Sequence, residues 1–208
     1  VTGISLMVIA KEPLPGRAKT RLSPPCTPDE AAALAEAALL DTLEVVASTP
    51  AHRRVLVFDG DAERFASGRF EVIAQRGEGL GERLAAAFED VGGPALLVGM
   101  DTPQLTSELL LDGMRALARP GVDAVLGRAL DGGYWSIGLG EPAAGAFDGV
   151  PMGSPVTWRE QRAQLRVLGL RIHDSSPLRD VDTIEDAQAV AGQAPGSRFA
   201  RAVGGLAK

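Results

Sequence analysis

The stretch Ala95-Leu-Leu-Val-Gly99 is apolar at every position. A strand with one wet face alternates in polarity. A continuous run therefore marks a central strand covered on both faces, as in parallel sheets flanked by helices. The rest of the chain supplies what such a sheet needs. Runs at Ile4–Ala10, Arg54–Phe58, Phe70–Ala74, Asp123–Gly127 and Leu170–His173 read as further strands. Helical segments alternate with them. Thr27-Pro-Asp-Glu30 is a capping box with Pro at the first helical position, followed by a stripe of Leu39, Leu40, Leu43, Val46 and Ala47. Further helices are expected up to Phe88 and over Thr106–Leu117. Another should follow Thr157-Trp-Arg-Glu160, and a last one a Thr183 cap with Asp186 at the third position. This alternation predicts a three-layer α/β/α sandwich with a mainly parallel sheet. The Gly132-Gly133 hairpin signal within residues 124–139 adds antiparallel pairing, making the sheet mixed. We expect one domain over residues 1–192 and a flexible tail over 193–208, where Gly, Pro and Ser accumulate.

Composition narrows the function classes. A net charge of −6 argues against a general nucleic-acid binder, whose partner recruits basic surfaces, but not against a nucleotide held by one basic loop. Cys26 is the single cysteine, and His52 and His173 are the only histidines, which disfavours cysteine-rich or multi-histidine metal sites. The first apolar run is too short to span a membrane, and a cytoplasmic location without membrane partners is expected.

That first run ends in Ala10-Lys-Glu-Pro-Leu-Pro-Gly-Arg-Ala-Lys-Thr-Arg-Leu22. Pro13, Pro15 and Gly16 enforce a loop, and Lys11, Arg17, Lys19 and Arg21 place four cations in it. Such a loop at the carboxyl end of a first strand suits a polyphosphate, with Lys19 in an exposed position; a solvated basic loop would carry the same residues. It is not a P-loop, because Ala18 and Pro13 stand where that motif needs glycines. Gly77, Gly79 and Gly81 do not form a dinucleotide fingerprint but permit close approach of a flat ligand. Asp101 ends the central strand and suits either a divalent-cation ligand or an Asp turn. Asp180 and Asp182 precede the Thr183 cap and fit helix-terminus electrostatics. Tyr134 and Trp135, neighbours on a strand, should point to opposite faces, one to the site and one to the core.

Six segments together carry a resemblance. They are Ala10-Lys-x-Pro-x-Pro-Gly-Arg-x-Lys-Thr-Arg-Leu22, Gln75-x-Gly-x-x-Leu-Gly-Glu-Arg83, Gly99-x-Asp-x-Pro103, Asp131-Gly-Gly-Tyr134, Gly153-Ser-Pro155 and Asp180-Val-Asp-Thr183. In this order the chain resembles the GT-A-like nucleotidyltransferases and nucleotide-sugar glycosyltransferases, of the nucleotide-diphospho-sugar transferase fold. Within them it is similar to the guanylyltransferase that activates 2-phospholactate and to molybdenum-cofactor nucleotidyltransferases. The resemblance implies that Ala10, Lys11, Gly16, Arg17, Lys19 and Arg21 bind the phosphates of an NTP or nucleotide-sugar. Gln75, Gly77 and Gly81 would lie against the base, and Gly132, Gly133, Tyr134, Gly153 and Ser154 would shape the pocket of a small-molecule acceptor. Asp101 and Asp182 would hold Mg²⁺ or Mn²⁺, and Lys19, Arg17 and Asp101 would be catalytic. A single Asp at 101, where glycosyltransferases of this fold carry Asp-x-Asp, favours nucleotidyl transfer from an NTP to a phosphorylated or acidic acceptor. Glycosyl transfer and a catalytically silent nucleotide-binding domain remain the alternatives, and a homodimer is left open.

Overall fold

The computed structural model describes residues 3–66 and 68–206. Seven strands form one sheet: β1 (Ser5–Lys11), β2 (Arg54–Asp59), β3 (Glu71–Ala74), β4 (Ala95–Val98), β5 (Ala124–Ala129), β6 (Tyr134–Leu139) and β7 (Ile172–Leu178). Their order is β3-β2-β1-β4-β6-β5-β7. β6 runs antiparallel to both β4 and β5, while every other neighbouring pair is parallel. The expected mixed, mainly parallel sheet is present.

Helices cover both faces. α1 (Pro28–Ser48) and α4 (Ser107–Leu117) lie on one, α3 (Leu80–Val91) and α5 (Thr157–Val167) on the other; the short α2 (Glu63–Ala66) follows β2. The strands explain why two layers are needed. In β1, Leu6 and Val8 pack under α1 while Met7 packs toward α3; in β4, Leu96 and Leu97 divide in the same way. α6 (Ile184–Gln193) and α7 (Arg198–Gly204) join α1 in a third cluster around Leu22, Leu34 and Phe199.

Local signals account for most helix starts. Two of the three expected caps form, as capping boxes, Thr27 with Glu30 and Thr183 with Asp186. Thr157 does not cap α5. Its hydroxyl lies 2.6 Å from the Pro151 carbonyl and accepts from the Ser154 N–H, closing the 151–154 turn, and Val156 takes the cap position without a side-chain bond. The last strand is longer than its apolar residues suggest, because backbone pairing with β5 carries it to Leu178.

The expectation of a flexible tail from residue 193 is corrected. Ser197 caps α7, Phe199 is 1% exposed, and the Asp41 carboxylate accepts from the Phe199 and Arg198 backbone N–H groups at 2.8 and 3.1 Å. One buried ring and one buried carboxylate outweigh the Gly/Pro composition around them. Phe199→Ala should therefore cost about 3–5 kcal/mol of global stability, measured by urea unfolding. A loss below about 1 kcal/mol would show that α7 is not part of the folded unit.

Candidate active site

The strand order reverses its direction of growth between β1 and β4, and open α/β sheets place ligands at the carboxyl ends of strands flanking such a point. A cavity of about 390 Å³ lies there, lined by Ala10 and Lys11 from β1, Gly99 to Asp101 after β4, Tyr134 to Ser136 from β6, and Gln75, Glu78 and Arg83 from the β3–α3 segment. A second cavity of about 200 Å³ adjoins it through shared Lys11, Met100 and Asp101, and adds Lys19, Arg21 and Asp182. The expected phosphate loop and the expected acidic residues thus meet at one edge.

Their geometry departs from expectation at Lys19. Its side chain is 8% exposed, not displayed on an open loop, and its Nζ lies 2.8 Å from Asp101 Oδ1 and 3.7 Å from Asp182 Oδ1. It also donates to the Val181 carbonyl. Among the described residues Lys19 is the non-glycine residue with positive φ, at 50°. Arg21 pairs with Asp182 Oδ2 at 2.7 Å from a largely exposed position. The Val181 N–H donates to the Asp101 carbonyl at 3.0 Å, so backbone fastens the segment before α6 to the end of β4.

The remaining sequence candidates divide. Lys11 is exposed on the wall of both cavities. Arg17 and Gly16 are exposed and line neither. Gln75 lines the larger cavity but is fully engaged: its amide donates to the carbonyls of Ala10 (2.7 Å) and Val57 (3.2 Å), and its oxygen accepts from Arg83. It positions the cavity wall. Gly77, with φ near +113°, packs against Glu82, and Gly81 lies against Phe147 and Met152. Tyr134 and Trp135 do point to opposite faces, yet both reach the cavity at the start of β6. The Tyr134 hydroxyl sits 3.3 Å from Gln161 Oε1, while Trp135 Nε1 donates to the Ser176 carbonyl.

Of the residues expected at the acceptor, Tyr134 alone lines that cavity. Gly132 instead packs against Pro155, just after the Gly153-Ser154 turn: a Cβ at Gly132 would meet the Pro155 carbonyl oxygen at 2.0 Å, and φ there is +97°. The Gly133 N–H donates to Asp131 Oδ1 at 2.7 Å, which fixes that carboxylate at the turn.

Among the described residues, Asp131, Asp180 and Asp182 form a group of three that could share one ion, each offering an oxygen within 4.8 Å of the others. Asp101 is outside this trio and faces Asp182 across the Lys19 ammonium. The expected pair, Asp101 and Asp182, thus face each other across Lys19, and Asp182 is also a member of the group with Asp131 and Asp180. Reading the sequence missed Asp131 and Asp180; the Asp-x-Asp spacing at 180–182 and the Asp opening the hairpin are the signals that could have found them. Burial, then the charges of Asp131 and Asp182, push the Asp180 carboxyl up to about 6, while Lys19 pulls it down. Hard oxygen donors with more negative charge than their one buried cation offsets fit a divalent ion of the Mg²⁺ or Mn²⁺ type.

A family model described as "Uncharacterized protein conserved in bacteria (DUF2064)" matches residues 42–154. None of the curated proteins compared matches the chain. A crystal structure from Desulfovibrio desulfuricans G20, of a candidate nucleotide-diphospho-sugar transferase, is similar at TM-score 0.83 and 28% identity, over 98% of this chain and 94% of that one. CMP:2-keto-3-deoxy-manno-octonic acid synthetase complexed with CTP matches at TM-score 0.58 and 13% identity, over 92% of this chain and 99% of that one. Glucosyl-3-phosphoglycerate synthase from Mycobacterium tuberculosis, in complex with Mn²⁺, UDP and glucosyl-3-phosphoglycerate, matches at TM-score 0.56 and 12% identity, over 97% and 80%. The last two establish a shared fold, the GT-A-like one. Among the described residues no helix is long and apolar enough to cross a membrane.

The acid group has a consequence for stability. Unfolded, Asp180 loses its proton near the ordinary value of about 3.9; folded, it keeps it to about 6. The folded state binds the extra proton between those values, so this carboxyl favours folding most below about pH 4, and that contribution is lost as pH rises through about 6. The melting temperature of Asp180→Asn, relative to the wild type without divalent ions, should rise between about pH 4 and about pH 7. A difference that stays flat over this range would show that Asp180 titrates normally.

Proposed function

The chain belongs to the DUF2064 family, and from its cleft we propose that it is a divalent-metal-dependent nucleotidyltransferase acting on an NTP and a small phosphorylated or acidic acceptor. The observation that carries this reading is the convergence of the basic loop after β1 with Asp101 after β4 and Asp182 before α6, beside a cavity wide enough for a base and sugar. The nucleotides and Mn²⁺ named for proteins of the same fold support it.

In this reading the base and ribose occupy the larger cavity against Ala10 and the wall that Gln75 braces, and the phosphates lie in the smaller one. Lys11, Lys19 and Arg21 neutralise them there, with Arg17 reaching in from its exposed position. An ionised acceptor oxygen forms a bond to the α-phosphorus as the bond to the β-bridging oxygen breaks, and pyrophosphate leaves. The acceptor is already an anion, so no side chain must remove a proton. Alignment and positive charge over the oxygens that gain charge do the work. Asp182, with Asp131 and Asp180 and facing Asp101, would hold the metal, which when bound supplies charge neutralisation of phosphate oxygens. Tyr134 and the Gly132 turn packed on Pro155, with Gly153 and Ser154 just before it, bound the acceptor side.

A second reading, glycosyl transfer from a nucleotide-sugar, is favoured by the description of the Desulfovibrio desulfuricans structure. The two differ in leaving group. A thermal-shift screen of NTPs against nucleotide-sugars, with and without Mg²⁺, followed by product analysis, separates them. Stabilisation by one NTP with Mg²⁺ and release of pyrophosphate is expected; stabilisation by nucleotide-sugars alone, with a nucleoside diphosphate released, would replace the proposal by the second reading. Asp101→Asn should lower turnover by at least about 100-fold while circular dichroism stays that of the wild type. Retained turnover would remove Asp101 from the site.

A further inference from the structure

The position of Lys19 is not that of a side chain placed only to meet phosphate. Its ammonium lies within 4 Å of carboxylate oxygens from two different loops and also donates to the Val181 carbonyl, in a side chain 8% exposed. The oxygens this ammonium faces, Asp101 Oδ1 and Asp182 Oδ1, are ones that a cation between these two residues would also need. We propose that Lys19 and the divalent cation are alternative occupants of one position: in the nucleotide-free protein Lys19 is the resident counter-ion of Asp101 and Asp182, and the metal enters only as Lys19 is drawn away. This rests on the reading that Asp101 and Asp182 take a divalent cation, and is independent of which group is transferred.

Three features argue for it. A lysine meant only to wait for phosphate would keep its head in water, as Lys11 does on the wall of both cavities. Lys19 instead has its head withdrawn onto the acids, with its backbone in the left-handed region that lysine disfavours. Second, it has somewhere to go. The cavity of about 200 Å³ beside it is lined by Lys11, Thr20 and Arg21, and phosphates placed there offer the ammonium new anionic partners as a divalent ion takes over the old ones. Third, Arg21 holds the other oxygen of Asp182, so that carboxylate stays in place during the exchange.

Free enzyme would accordingly bind divalent metal weakly, and metal and nucleotide would enter together, their affinities coupled through Lys19. The arrangement keeps the nucleotide-free protein from holding an ion in an acid site open to solvent.

The test is Mn²⁺ binding without nucleotide, followed by electron paramagnetic resonance on wild type, Lys19→Met, Lys19→Gly and the double variant Lys19→Met/Asp182→Asn. Lys19→Gly is included because glycine accepts the backbone conformation without strain, so at least one variant lacking the ammonium keeps the loop. Removing a positive charge about 4 Å from the ligands should tighten Mn²⁺ binding at least about tenfold, and the double variant should lose that gain. If folded Lys19→Met and Lys19→Gly bind Mn²⁺ no more tightly than the wild type, the proposal is overturned while a metal-dependent reaction stands. If none of the four proteins binds Mn²⁺, the proposal falls together with the metal in the proposed function.

Discussion

The pairing of β1 with β4 is the constraint on which the site depends. These strands are neighbours in space but are separated in the chain by β2 and β3. Having laid β2 and β3 on one side of β1, the chain crosses over and continues on the other. α1, which follows β1, lies on one face of the sheet, and α3, which precedes β4, lies on the other. The connections leaving the carboxyl ends of β1 and β4 consequently diverge and open a crevice. Both strands are buried on both faces, so their register is tightly set, and a one-residue slip would exchange Leu96 and Leu97 between two apolar layers of different shape. The cavity geometry follows from that register, through Lys11 at the end of one strand and Asp101 just past the end of the other.

How much of this could be read from the chain depends on how local the cause is. The strand runs, the two capping boxes and the basic loop after β1 depend on neighbours in sequence, and they are where the sequence reading puts them. Asp101 at a strand end is of the same kind. What could not be read depends on long-range contacts. Lys19 meets Val181 across 162 positions, and the burial of its head follows from that meeting alone. Asp131 joins Asp180 and Asp182 because β5, β6 and β7 bring a hairpin turn and a loop to the same edge. Gln75 looked like a base contact, and only the structure shows its amide committed to Ala10 and Val57. The tail misled for the opposite reason: composition said disorder, and one aromatic ring against Leu34 and Val190 decided otherwise.

The left-handed backbone at Lys19 shows how fold and site are tied together. That conformation costs a non-glycine residue about 1–2 kcal/mol, and a glycine would relieve it. Ala18, one residue earlier, is 2% exposed in the core under α1; Leu22, three residues later, is fully buried in the separate cluster with α6 and α7. The chain must turn sharply between two fixed anchors, and Lys19 takes the turn. Glycine there would satisfy the backbone but leave Asp101 and Asp182 without their buried cation, beside an acid group already crowded enough to raise Asp180. Without the ammonium the two part-exposed carboxylates would face each other with no cation between them, and like charges at that range repel. The sequence therefore keeps lysine at a glycine-like position, since the ammonium cannot be aimed at those two carboxylates unless the backbone turns as it does.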